Sequence, residues 1–162
     1  MRLEPLALLL TEEHPLAERS SIPLQMIGGM EIDASSGNDV APEWVDLAEQ
    51  LLRRFGARPA RPHHHVVGPD ETAHHLREHG RPIFAHRVGL PVPGAVVRPL
   101  TEPVPLYPWS ILYRHGFAHP ALTAVLHASQ YLAREQRWTQ RPTTAWLPEP
   151  EAGQSGDRSP AQ

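Results

Sequence analysis

Histidine is the residue type here with the widest chemical range. The chain carries 11 histidines in 162 residues, with runs at 63–65 and 74–75 and others at 79 and 86. His75 and His79 are four apart and would share a helix face, the spacing of a two-histidine metal clamp. His63 and His65 would share one face of a strand, and Glu71 or Glu78 could add a carboxylate. The run HHLREH, however, lacks the glutamate that follows the first histidine in His-Glu-x-x-His sites. Polar histidine on a solvated helix face is the commoner meaning of such a pair. No metal ligand set and no cofactor are therefore assigned.

Other chemistries are thinly represented. There is no Gly-x-Ser-x-Gly elbow, phosphate loop or dinucleotide fingerprint, and no constellation that marks an enzyme. Asp33, Asp39, Glu43 and Asp70 could be imagined as paired acids, but nothing in the sequence brings them together. Trp44, Trp109 and Trp138 could line a sugar or aromatic site, although aromatics at helical and strand spacing more commonly pack a core.

Composition narrows the classes further. Net charge is −3, the 15 cations are all arginine, and apart from the Arg53–Arg54 pair they are scattered singly. No basic stripe could follow a phosphate backbone, so direct nucleic-acid binding is disfavoured. The absence of cysteine removes disulfides, thiolate nucleophiles and cysteine zinc sites. LEPLALLL is too short to span a bilayer and lacks a basic flank, so a soluble, cytoplasmic chain is expected with no membrane partner.

Nineteen prolines cut the chain into short elements. Residues 5–10 form a continuous apolar run, as in a strand covered on both faces. PLQMI reads as a helical turn stopped by Gly28 and Gly29, and MEIDA as a short strand. The strongest helix starts at Pro42 and carries Trp44, Leu47, Ala48, Leu51, Leu52 and Phe55 on one face, with Gly56 ending it. HHHVV (63–67) reads as a strand, and 68–80 as a turn and helix capped by Asp70 and stopped by Gly80. PIFAH, AVVRPL and YPWSILYR read as three further strands, and 120–137 as the last helix. Strands alternating with helices indicate an α/β sheet packed by helices.

Taken in order, EPLALLL…EHPLA, the Trp-bearing helix, HHHVVGPDETAHHLREHG and VVRPLTEPVPLYPWSILYRHGFAHPAL resemble the C-terminal part of the effector-binding domain of LysR-type transcriptional regulators. The likeness covers about residues 2–133. It implies one Rossmann-like lobe of a type 2 periplasmic-binding-protein fold, plus a returning strand and a C-terminal helix. The domain would span 1–137, with lobe two at about 11–100, the return at about 101–137, and a disordered, Pro- and Ser-rich tail at 138–162. The helix-turn-helix and the first half of lobe one would be absent. Strand and helix pieces that pack on that half would then need cover. Trp109, Ile111, Tyr113, Leu122, Val125 and Leu132 are expected to contact either lobe two or a second copy.

The resemblance also implies a small effector, often a carboxylate, held by hydroxyls and backbone N–H groups beyond strand ends. DASSGND (33–39) and VGPDE (67–71) lie at such strand-to-helix junctions. Ser35, Ser36, Gly68, Asp70 and Thr72 are the candidates, against the simpler reading of turn formers and helix caps. His86 stands beside the cleft where relatives often carry an apolar residue or proline. Arg77, Glu78, His79 and Pro82 also depart from the family pattern, which suits either an altered pocket or one released from selection. The leading reading is a non-catalytic, LysR-type effector-binding protein acting through a small molecule, a homo-oligomer or a protein partner. Its rivals are an oligomerisation module without a ligand and, third, a histidine-based metal-binding protein.

Overall fold

One strand carries the architecture. In the computed structural model, which describes residues 2–34, 41–61 and 66–149, β1 runs from Arg2 to Thr11 and is buried almost throughout. Side chains alternate across a strand. Leu6, Leu8 and Leu10 face one apolar cluster, and Leu9 faces a second with Leu76 and Ile83. That is why its apolar run is continuous: both faces are covered.

Three strands pair antiparallel with β1: β5 (Ile83–His86), β6 (Ala95–Thr101) and β7 (Val104–Trp109). The short β2 (Ile22–Pro23) adds to β6 in parallel. A 3-10 turn at Leu24–Ile27 then buries Leu24 and Ile27. A separate small pair joins β3 (Glu31–Ile32) to β4 (Arg58–Pro59).

Helices cover both faces of β1. The first, α1 (Pro42–Arg54), has proline in its first turn, Glu43 at its positive end and Arg53 and Arg54 at its negative end. Leu47, Ala48, Leu51 and Leu52 pack into the larger cluster with Leu6, Leu8 and Leu10. The second helix, α2 (Gly68–His79), buries Ala73 and Leu76 and packs Leu76 against the other face. Gly80 ends it at φ +61, and its N–H bonds the Leu76 carbonyl, a conformation that favours glycine.

Several expectations shift in detail. The start of α2 is held by Glu71, whose carboxylate accepts from the Val67 N–H at 2.7 Å, so Asp70 is a first-turn residue and not the cap. Val66 and Val67 are not in a strand, and His63–His65 lie outside the described residues. The strand expected over YPWSILYR begins three residues earlier and stops at Trp109. Ala145–Trp146 form β8, parallel to β7, within the stretch expected to be a tail. Trp146 there packs against the larger cluster.

The last helix, α3 (Pro120–Glu135), begins with the His119 ring accepting from the Ala121 N–H at 3.1 Å. None of its residues is buried. Leu112 in the preceding loop is 91% exposed, and Ile111, Tyr113, Phe117, Val125, Tyr131 and Leu132 are also exposed. Trp109, Ile111, Tyr113, Leu122, Val125 and Leu132 therefore find no full cover among the described residues. Among the described residues, no helix is long and apolar enough to cross a membrane.

Burial separates two leucine substitutions. Leu51→Ala, at a site with no exposure, should lower unfolding free energy by about 2–5 kcal/mol. Leu112→Ala should change it by less than about 0.5 kcal/mol. Urea titrations followed by circular dichroism measure both, and equal losses would contradict this placement of the core.

Candidate functional site

Register alone builds the site's floor. Leu6 pairs with His86, Glu4 with Tyr107, and Arg2 with Trp109. Directly paired residues share a sheet face, as do alternate residues of one strand. One face thus gathers Arg2, Glu4, His86, Tyr107 and Trp109. Trp44, from α1, lies over it, its indole N–H donating to the Ala34 carbonyl at 2.7 Å.

The rings make a continuous cluster. His86 lies 4.8 Å from Trp44, 5.7 Å from Tyr107 and 5.6 Å from Trp109, between centroids. Tyr107 meets Trp109 edge-on at 4.9 Å and Trp44 at 5.4 Å, and Phe84 extends the cluster at 5.3 Å from Trp44. Edge-to-face contacts at such distances are favourable beyond simple burial.

Glu4 places a carboxylate at this aromatic wall while being only 9% exposed. A buried charge needs partners. The Trp109 indole N–H donates to its Oε2 at 2.8 Å. Arg2 approaches Oε1 at 3.8 Å. The His86 Nδ1 is 3.9 Å from Oε2, beyond hydrogen-bond length, and among the described residues it is buried without a hydrogen-bond partner. Burial pushes the His86 pKa below the usual histidine value; Glu4 opposes the shift and Arg2 adds to it. Burial, with Glu43 second, likewise raises Tyr107 above the usual phenol range. Both rings favour their neutral forms.

Beside this wall runs a groove of about 680 Å³. Arg2, Glu4, Trp109, Ser110 and Ile111 form one side, and Leu126, Ser129, Gln130 and Ala133 of α3 the other, closed by Trp138 and Thr139. The Leu3 N–H bonds the Trp138 carbonyl at 2.8 Å, and the Arg2 guanidinium lies 5.5 Å from the Trp138 ring centre.

The expected ligand residues fall in different places. His86 is central to the cluster. Gly68, Asp70 and Thr72 sit in the first turn or so of α2, where the Thr72 hydroxyl bonds back to the Gly68 carbonyl at 2.8 Å. Among the described residues, no hydrogen bond, ion pair or ring contact joins these three to the His86 cluster. Ser35 and Ser36 lie outside the described residues. His75 and His79 do share a helix face, their rings 4.5 Å apart, and the His75 Nε2 lies 3.0 Å from Asp33, which is 2% exposed. Among the described residues, no group of three His, Asp, Glu or Cys side chains is placed to hold a metal. Arg2, Glu4 and Tyr107 went unnoticed in the sequence. An acidic residue inside an otherwise apolar strand was the available signal for Glu4.

The lowered His86 pKa sets a pH dependence. Unfolded histidine, near 6.5, binds a proton more readily than folded His86. This stability is present above that value and fades as pH falls through it. His86→Phe should flatten the loss of stability between about pH 7.5 and 5.5 in urea titrations. An unchanged slope would count against a neutral buried His86.

No protein-family model and no curated protein matches the sequence. Solved structures match in fold. The reduced form of OxyR aligns at 16% identity and TM-score 0.57, over 83% of this chain and 61% of that one. The BenM effector-binding domain, solved with its effector benzoate, aligns at 14% identity and TM-score 0.59, over 92% and 67%. A Pseudomonas aeruginosa protein described as a LysR-family transcriptional regulator aligns at 18% and 0.58, over 82% and 47%. The chain spans about 61% of the OxyR chain. Mixed strands and helices around a curled sheet thus give this chain the periplasmic-binding-protein-like fold of LysR-type effector-binding domains.

Proposed function

We propose that the chain is a non-catalytic regulatory protein that binds a small carboxylate or aromatic effector at the His86 face, in the cytoplasm and without contacting DNA itself. One observation carries the reading: the aromatic wall of Trp44, His86, Tyr107 and Trp109 lies beside an open groove that Trp109 and Glu4 also line. Such a site offers apolar contact area and, at Arg2, Glu4 and Ser110, polar groups for orientation. The benzoate bound by the BenM domain supports the ligand class. Asp70, Gly68 and Thr72, with Ser35 and Ser36, are proposed as secondary contacts only, since the Thr72 hydroxyl is already engaged by its own helix. The proposed division is a lobe at about 11–100 and a returning strand and helix at about 101–137.

A thermal-shift screen with benzoate, other small aromatic acids and amino acids tests this. A bound ligand should raise the melting temperature in a concentration-dependent way, and Trp109→Ala, at the residue shared by the wall and the groove, should abolish the shift. No shift from any member of the panel contradicts the proposal.

The exposed apolar run from Trp109 to Leu132 favours a second reading, self-association through Trp109, Ile111, Tyr113, Leu122, Val125 and Leu132. Sedimentation velocity should then show a concentration-dependent dimer, and Leu112→Glu with Val125→Glu should yield a folded monomer. A wild-type monomer at every concentration tested excludes this reading.

A further inference from the structure

The groove between β1, the end of β7 and α3 presents one negative and one positive group at loose separation. Glu4 is held on one oxygen by the Trp109 N–H. Glu4 lines the groove with its side chain 11% exposed, and Arg2, 3.8 Å from Oε1, is too far for a hydrogen bond. The Arg2 side chain is 45% exposed and lies over Trp138. Among the described residues, neither Oε1 nor the guanidinium has a hydrogen bond. Both therefore retain capacity for charge-assisted bonds.

A ligand with one charge fits this pair poorly. A simple carboxylate that takes Arg2 sets its own negative charge near Glu4. A simple amine that takes Glu4 sets its positive charge near Arg2. A ligand bearing both charges satisfies each group and leaves the site neutral. Trp109, Ile111, Leu126, Ala133 and Trp138 supply apolar walls among the polar Ser110, Ser129, Gln130 and Thr139, and indole faces also favour a nearby ammonium. The volume of about 680 Å³ suits a small organic molecule.

We infer that this groove binds a free α-amino acid with an aromatic or large apolar side chain, its ammonium on Glu4, its carboxylate on Arg2, and its side chain between Trp109 and Trp138. The inference rests on the ligand-binding reading above and names the ligand's class. Calorimetric titration with three probes tests it: L-phenylalanine, phenethylamine, which lacks the carboxylate, and 3-phenylpropanoate, which lacks the ammonium. Phenylalanine should bind about tenfold or more tightly than either analogue. Glu4→Gln should erase its advantage over 3-phenylpropanoate, and Arg2→Gln its advantage over phenethylamine. Arg2 is exposed, so Arg2→Gln keeps the test intact where Glu4→Gln fails to fold. Equal affinity for all three, preference for 3-phenylpropanoate, or no phenylalanine binding by a protein that other effectors stabilise would overturn the inference while sparing the broader reading.

Discussion

Everything in this chain leans on β1. It buries side chains on both faces and so helps fix two helices from distant parts of the sequence relative to each other. α1 closes on Leu6, Leu8 and Leu10, and α2 on Leu9. The same strand supplies the hydrogen-bonding edges for β5, β6 and β7. A register slip of one residue would exchange its two faces. Leu9 would move into the larger cluster, and Glu4 would leave the aromatic wall for the opposite side. Core and site are thus determined by one alignment.

That dependence explains why a charge is tolerated near the start of so apolar a strand. Carboxylates are rarely buried without partners. Beyond Pro5, β1 is sealed between helices. At Glu4 it has β7 beside it and a groove in front of it. The Trp109 indole, fixed by its pairing with Arg2, supplies the N–H the carboxylate needs. His86 completes the same wall but stops short of a bond to Glu4. A core built only for stability has little reason to place Glu4, Arg2 and His86 together, and the proposed effector site would supply one.

The legible and illegible parts divide on range. Local signals were strong for β1, whose apolar run is unbroken, and for α1, where Pro42, Arg53, Arg54 and Gly56 mark both ends. They were also strong for α2, stopped by a left-handed Gly80. The wall around His86 was not readable, because its members lie at positions 4, 44, 86, 107 and 109. They meet only through strand register and one helix crossing. β8 escaped for a related reason: two residues at Ala145 and Trp146 have no periodicity to detect, and only the exposed edge of β7 gives them a partner. Composition there pointed to a tail, while Trp146 packed on the core.

α3 presents the opposite balance. Its sequence has the apolar spacing of a packed helix, yet it buries no residue, and its Leu126 and Ala133 serve as one wall of the groove. A helix stabilised mainly by tertiary contact should be weakly held when that contact is missing. What fixes it are its ends: the His119 cap before it and the Leu3–Trp138 bond after it. Occupation of the groove would add contacts along its length at Leu126, Ser129 and Gln130. Ligand binding and the ordering of α3 would then be coupled, since the molecule that bridges Arg2 and Glu4 also spans from β1 to that helix. In the absence of a covering partner, the least supported helix in the chain is also the one a ligand would stabilise most.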